Sequence, residues 1–249
     1  MRTFRRFSRV AVVSQKAAQV RLLLKKHGFS VVFSPDAKPD VVVTFGGDGT
    51  ILESERRYPG VPKLSARDSR HCHLCTVRYA GKHAREVVCW SCLQTGIDAL
   101  KGGDFDVVSH SKVDAVFGKE TLTGLNEVQL HNSDPRRAVR FSIAADGRTL
   151  CRDVIGDGVL LATSFGAGGY FRSICRQSFD SGFGLALNNP VEAAGPWFFS
   201  NTPPSVHVKM ERGPGWVLAD NAARKLIVPN GGKVVFRRSP HVARFVALR

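Results

Sequence analysis

The residues best suited to chemistry stand in the run Gly46-Gly47-Asp48-Gly49-Thr50. Glycines let the backbone come close to a bound phosphate, because no Cβ intervenes. The N–H groups of such a loop, and of a helix starting there, then face the anion. A carboxylate at that place repels phosphate, so Asp48 is a poor choice for simple anion binding. It makes sense if Asp48 takes the proton of an attacking hydroxyl, or orients a metal ion that neutralises the phosphates. A capped tight turn is the competing reading, and Gly-Asp-Gly alone would not decide between them.

A second group is made of cysteines. Cys72 and Cys75 form one Cys-x2-Cys pair, Cys89 and Cys92 another, with thirteen residues between them. The intervening Thr76–Tyr79, Ala80–His83 and Arg85–Val88 read as strand, turn and strand. That is the order of a zinc ribbon, and four thiolates can hold Zn²⁺ tetrahedrally. Two other readings stay open. Cys89 and Cys92 could lie on a helix continuing to Leu100, as core thiols, or the cysteines could form disulfides in a hyperthermophile cytoplasm. His71 and His73 flank the pairs, and Cys151 and Cys175 read as ordinary buried residues.

The elements that must position these groups fall into two textures. Arg9–Ser14 is a β-rich apolar run. Lys16–His27 has helical spacing closed by Gly28, and Phe29–Phe33 is a second strand. Asp40–Phe45, nearly all apolar, is expected to be a strand buried on both faces, leading into the glycine run and a helix over Ile51–Arg57. Beyond residue 104 short β-like segments follow one another. They are Val107–Ser109, Val113–Phe117, Glu127–Leu130, Val139–Ala144, Val159–Thr163, Leu185–Leu187, Val206–Met210, Trp216–Ala219, Lys225–Val228, Val234–Phe236 and Ala243–Ala247. Turn signals such as Asp146-Gly147 and Asn230-Gly231-Gly232 separate them. The expected class is α/β plus all-β. A Rossmann-like domain over 1–103 carries the glycine loop and a zinc-ribbon insertion at 71–93. A β-rich sandwich domain follows over 104–249, its C-terminal end packing back on the first.

Composition narrows the function classes. With 249 residues and 43% hydrophobic content the chain can bury a sizeable core. No apolar run is long enough for a membrane span. The opening MRTFRRFSRVAVVS lacks a signal peptide's long apolar stretch and cleavage site, so the expected compartment is the cytoplasm. The formal net charge is +15, but Lys and Arg are spread along the chain and not gathered with aromatic residues. That argues against a nucleic-acid partner and leaves two readings, a solvated basic surface, which is the commonest, and a surface that attracts anionic nucleotides.

The complete GGDGT after a buried strand resembles the NAD kinase superfamily; diacylglycerol and sphingosine kinases carry the same loop. Leu125-Asn126-Glu127-Val128 resembles the Asn-Glu motif of NAD kinases. RDVIGDGVLLATSFGAGGY, Arg152–Tyr170, resembles their DGxxxxTxxGSTxY segment, with Asp157, Gly158, Thr163, Gly166 and Tyr170 matching. Ala167 and Gly168 stand where Ser and Thr are usual. WVLADN, Trp216–Asn221, resembles a late strand ending in Asp-Gly, with Asn221 for Gly. The resemblance runs from about residue 9 to 248 with the motifs in order, which is more specific than any one of them. It departs at Leu64–Leu74, which lacks the GINxGxxGFL pattern, and at Ser173–Gln177, where SAGGP is usual.

The resemblance implies a kinase that binds NAD between its two domains and phosphorylates the adenosine-ribose 2′-hydroxyl, with ATP and Mg²⁺, or polyphosphate, as donor. Asp48 would act on that hydroxyl, and Gly46, Gly47, Gly49 and Thr50 would shape the phosphate loop. Asn126 and Glu127 would hold the adenosine part of one nucleotide, while Asp157, Thr163, Ala167, Gly168 and Tyr170 would line the rest of the pocket. A homo-oligomer, dimer or tetramer, is implied as well. The alternatives are a related kinase acting on another nucleoside, a polyol or a lipid, or a catalytically weak dinucleotide-binding protein.

Overall fold

The computed structural model describes residues 7–68, 90–200 and 205–249. In chain order it begins with β1 (Arg9–Val13), α1 (Ala17–Lys26), β2 (Ser30–Val32), β3 (Val41–Gly46), α2 (Asp48–Arg57), β4 (Lys63–Arg67) and α3 (Trp90–Gly102). Strands then dominate: β5 (Phe105–Phe117), β6 (Glu120–Gly124), β7 (Glu127–Asn132), β8 (Val139–Ala145), β9 (Arg148–Gly156) and β10 (Gly158–Thr163). A π-helical turn, Ala167–Phe171, runs into α4 (Arg172–Cys175). β11 (Phe183–Asn188), β12 (Trp197–Phe199), β13 (Val206–Arg212), β14 (Gly215–Ala219), β15 (Leu226–Val228) and β16 (Lys233–Leu248) complete the order. The chain divides into two compact units, one of Met1–His110 with Val242–Arg249, the other of Ser111–His241.

The first unit is a parallel sheet in the order β2-β1-β3-β4, with the last residues of β16 joining β4 through Phe245 and Lys63. All six residues of β3 are buried, as a strand covered on both faces requires. Helix α1 turns Val20 and Leu24 inward, and α3 turns Leu93, Ile97 and Leu100 inward, onto Val10, Val41, Val43 and Phe45. Gly28, at φ +86°, ends α1 in the left-handed conformation that glycine adopts without strain. Helix α2 is tied to β4 by a fully buried ion pair, Lys63 with Glu55, and the Lys63 Nζ also donates to the carbonyl of Tyr58 at 2.8 Å. A buried pair of this kind adds little by its mere presence, but losing one partner strands the other's charge. It fixes the helix that begins at Asp48.

The second unit is a sandwich. One sheet contains β9-β8-β13 and the first part of β16; the other is antiparallel throughout, in the order β12-β11-β10-β7-β14-β15. Burial alternates with period two along β8 and β13. Their inward Phe141, Ile143, Val206, Val208 and Met210 meet Leu130, Leu161, Leu185 and Val217 of the six-stranded sheet. The other face of that sheet also carries apolar residues, Leu160, Ala162 and Ala186, and Phe171 of the π-helical turn covers them. This is why β10 and β11 read as continuous apolar runs.

Several boundaries differ from the sequence reading. Val107–Ser109 and Val113–Phe117 are one strand, β5, because the polar stretch between them stays extended. Val234–Phe236 and Ala243–Ala247 are also one strand, β16, in which exposed Pro240 interrupts nothing. Strands β4, β6, β9 and β12 were not expected; each is short or rich in polar residues, and β4 opens on a lysine buried against Glu55 and the Tyr58 carbonyl. Helix α2 starts at Asp48 and not at Ile51. Cys151 and Cys175 are half-buried and not core residues.

Candidate active site

In the first unit the chain leaves β1 for β2 on one side and returns to β3 on the other. Beyond the carboxyl ends of two such strands lies the switch point where ligands of open α/β sheets bind. The segments after β1, β3 and β4 meet here. The Ser14 hydroxyl donates to the Phe45 carbonyl at 2.6 Å and accepts from the Lys16 N–H at 3.0 Å. Lys16 Nζ reaches Asp68 at 2.8 Å, and the Asp68 N–H donates to the Gly46 carbonyl at 3.1 Å. From this floor α2 rises. Gly47 is its N-cap, extended at φ −89° and without a side-chain cap, and Asp48 is the first helical residue, half-exposed. Glycine at 46 is a matter of room, since a Cβ there would stand 2.3 Å from the Thr50 hydroxyl. Gly49 is exposed and Thr50 half-buried in the first turn. Lys16 and Asp68 escaped the sequence reading; a lysine just past the first strand was the available signal.

In the second unit β7 runs antiparallel to both neighbours, β10 and β14. The start of β7 therefore lies beside the ends of the other two, which brings Asn126, Glu127, Thr163 and Asp220 together. Both oxygens of Asp220 are used: Oδ2 accepts the N–H of Leu125 at 2.8 Å, and Oδ1 those of Asn126 at 2.8 Å and Glu127 at 3.2 Å. The Asp220 N–H in turn donates to the Glu127 carbonyl at 3.0 Å. On the other side the Thr163 hydroxyl donates to the Leu125 carbonyl at 2.7 Å and accepts from the Gly166 N–H at 3.1 Å. Gly124 and Gly166 are glycines because a Cβ would stand 2.2 Å from the Glu127 carbonyl oxygen and 2.4 Å from that of Asn126. Within this frame Asn126 Oδ1 and Glu127 Oε2 are buried without a hydrogen-bond partner among the described residues. Burial, and then the charge of Asp220, push the Glu127 carboxyl up to about 8.

A third group lies on the same sheet. Asn188 donates to the Tyr170 hydroxyl at 2.9 Å and faces His131 Nε2 at 3.2 Å, while His131 Nδ1 faces the Asn132 carbonyl. The two contacts agree if the imidazole proton sits on Nδ1. Asp157 accepts from Asn132 at 3.1 Å and Asn189 at 3.0 Å. Burial pushes the Tyr170 phenol up; the bond from Asn188 works against that, and the Glu127 and Asp157 carboxyls add to it. Ala167 is packed inside, whereas a side chain at Gly168 would meet open space. Sequence reading did not single out His131, Asn188 or Asn189, and it noted Asp220 only as part of a motif.

Known proteins resemble the chain in sequence and in fold. No family model matches the chain. The NAD kinase of Methanopyrus kandleri is 29% identical over 218 residues, 83% of this chain and 72% of the relative. The chain is similar in sequence to NAD kinases. Two others, from Clostridium beijerinckii and Saccharolobus islandicus, match over 47% and 60% of their own length. Among solved structures, an NAD kinase from Archaeoglobus fulgidus in complex with ATP superposes with a TM-score of 0.72 at 21% identity, over 95% of this chain and 92% of that one. Yeast NADH kinase complexed with NADH gives 0.79 at 14% identity, over 98% and 84%. These likenesses show a shared fold, an α/β part with a β-sandwich, and they bear out the resemblance to NAD kinases drawn from the motifs.

The zinc expectation has a different standing. Cys72, Cys75 and Cys89 lie outside the described residues. Cys92 is on α3, 3% exposed, in the core with Leu93 and Ile97, which is the placement of the helical alternative for its pair. Among the described residues no group of three or more His, Cys, Asp or Glu side chains could hold a metal ion. Among the same residues no helix is long and apolar enough to cross a membrane.

Proposed function

We propose that the chain is an NAD kinase, transferring the terminal phosphoryl group of ATP to the 2′-hydroxyl of the adenosine ribose of NAD. The observation that carries this reading is the turn Gly46–Thr50, placed at the switch point of a parallel sheet with Asp48 as the first residue of the helix that follows. The helix start and its glycines suit a phosphate group. Asp48 is the residue that simple phosphate binding does not need. As the acceptor oxygen attacks phosphorus and the bond to the ADP oxygen breaks, Asp48 takes the hydroxyl proton. Positioning and charge neutralisation supply the rest of the catalysis. Mg²⁺ enters as a partner of ATP, where it would neutralise the phosphates.

Asn126 and Glu127 hold the adenosine part of a nucleotide in this reading. Two features support that: their turn is fixed from both sides, and each keeps a buried side-chain oxygen without a partner among the described residues. Tyr170 packs on the sheet face that carries Leu160 and Ala162, and the open space at Gly168 leaves room that Thr fills in the motif of NAD kinases. Zinc at the two Cys-x2-Cys pairs stays a reading from sequence. Metal analysis after reducing, chelator-free purification tests it, with about one zinc per chain expected and none refuting it.

The deciding assay measures NADP formed from NAD, ATP and Mg²⁺, beside polyphosphate as donor and NADH, a nucleoside and a diacylglycerol as acceptors. NADP formation is the expected result. Phosphorylation of another acceptor with none on NAD would overturn the substrate assignment.

A further inference from the structure

The turn after β6 places two carboxyl groups close together in unequal surroundings. Asp220 meets three backbone N–H groups. Glu127 is 6% exposed, and its Oε2 has no partner among the described residues. An ionised Glu127 would be a buried charge with no donor on that oxygen, next to a second negative charge. The N–H groups at the turn are already committed to Asp220. A carboxylate is stabilised where donors converge on it and destabilised where burial removes water without replacing it. The negative charge therefore belongs on Asp220 and the proton on Glu127.

We propose that Asp220 is a positioning residue, which fixes the Asn126–Glu127 turn and keeps Glu127 a neutral carboxyl that donates a hydrogen bond to the acceptor nucleotide. The nucleotide in this statement rests on the kinase reading above; the proton on Glu127 rests on the geometry of the turn. The upward shift of Glu127 to about 8, from burial first and Asp220 second, agrees with it. Among the described residues two titratable groups bear on Glu127. Asp220 approaches from the end of β14 and Tyr170 from the π-helical turn. The Thr163 hydroxyl of β10 is uncharged and engaged with Leu125 and Gly166.

A neutral carboxyl offers an O–H to a lone pair on the ligand, a ring nitrogen or a hydroxyl oxygen. Once ionised it repels the same lone pair. Affinity for the acceptor nucleotide should thus be lost as pH rises through about 8, and removing the charge of Asp220 should move that loss to lower pH.

The test combines a spectrum with kinetics. Infrared difference spectra of the carboxyl C=O stretch are recorded from pH 5 to 10 for the wild type, Glu127→Gln and Asp220→Asn. The pH profiles of KM for NAD and of kcat are measured on the same proteins. A protonated carboxyl band should disappear around pH 8 in the wild type, be missing in Glu127→Gln, and disappear at lower pH in Asp220→Asn. KM for NAD should rise several-fold above that pH in the wild type, stay flat in Glu127→Gln, and rise earlier in Asp220→Asn without a matching shift in kcat. A merely structural Asp220 would raise KM at every pH and leave the midpoint alone, which overturns the proposal. So does a wild-type band that titrates below about pH 6, nearer the ordinary glutamate value. Should Asp220→Asn fail to fold, the wild-type and Glu127→Gln spectra decide, and no difference between them near pH 8 is a refutation. A band that behaves as stated in a protein making no NADP would sink the kinase reading and leave the proton on Glu127 standing.

Discussion

Two turns of this chain each carry a carboxyl group that matters, and they are built in opposite ways. The Gly46–Thr50 turn is made of small residues, has no side-chain cap from Gly47, and leaves Asp48 half-exposed at the start of a helix. The Leu125–Glu127 turn is enclosed. A carboxylate takes its three N–H groups, a threonine takes a carbonyl, and two glycines let the backbones close in. The first turn stands at the start of a helix; the second spends its backbone on the protein and offers its side chains. The difference separates two tasks for one functional group. On the proposed reading Asp48 receives a proton and Glu127 keeps one.

Substitutions at the two turns should therefore fail differently. The largest effect is expected from Asp48→Asn, which keeps the shape and removes the proton acceptor: turnover should drop by about two to four orders of magnitude, with the melting temperature unchanged. Near-normal turnover would break the comparison at its first term. Gly166→Ala comes next, because its Cβ would press on the Asn126 backbone, which has nowhere to move. A loss of about 1–3 kcal/mol is expected in denaturant unfolding. Gly168→Ala, two residues on and facing open space, should stay within about 0.5 kcal/mol. Equal losses would mean that the second turn is looser than its contacts indicate. Thr163→Val removes one partner each from the Leu125 carbonyl and the Gly166 N–H, and about 1–3 kcal/mol should be lost.

A different kind of effect is a slope. Glu127 keeps its proton in the folded protein at pH values where the unfolded chain has lost it. The folded state then binds more protons between the ordinary carboxylate range and about 8, so stability falls as pH rises across that window. Urea midpoints from pH 5 to 9 should show the decline, and Glu127→Gln should remove its share. A slope identical in the two proteins would place the proton elsewhere.

What could be read from sequence divides along the same line. The first turn is a contiguous signal: an all-apolar strand, five residues of fixed type, then a helix. The Asn126-Glu127 and Thr163–Tyr170 segments were legible as motifs, but not the reason they meet, which is the antiparallel placement of β7 between β10 and β14. Asp220 binds backbone more than ninety residues away, and no local pattern reports that. Lys63 misled in the other direction, since a lysine argues for solvent until its partner Glu55 is known. Polar stretches inside β5 and β16 read as breaks because periodicity shows which face is buried, not whether the backbone stays extended.

The first unit is assembled from two distant pieces of chain, Met1–His110 and Val242–Arg249. On the ribosome this sets an order of events. Strand β4 emerges early and pairs with β3 on one side, yet its partner on the other side at Lys63 is Phe245, made only after all of Ser111–His241 has been translated. Through that interval the nascent sheet has an open side along β4, the kind of edge that recruits foreign strands. The wait lengthens with every residue inserted into the second unit, and slower synthesis there prolongs it. Such a chain should lean on chaperones during translation more than one whose sheet closes in the order it is made.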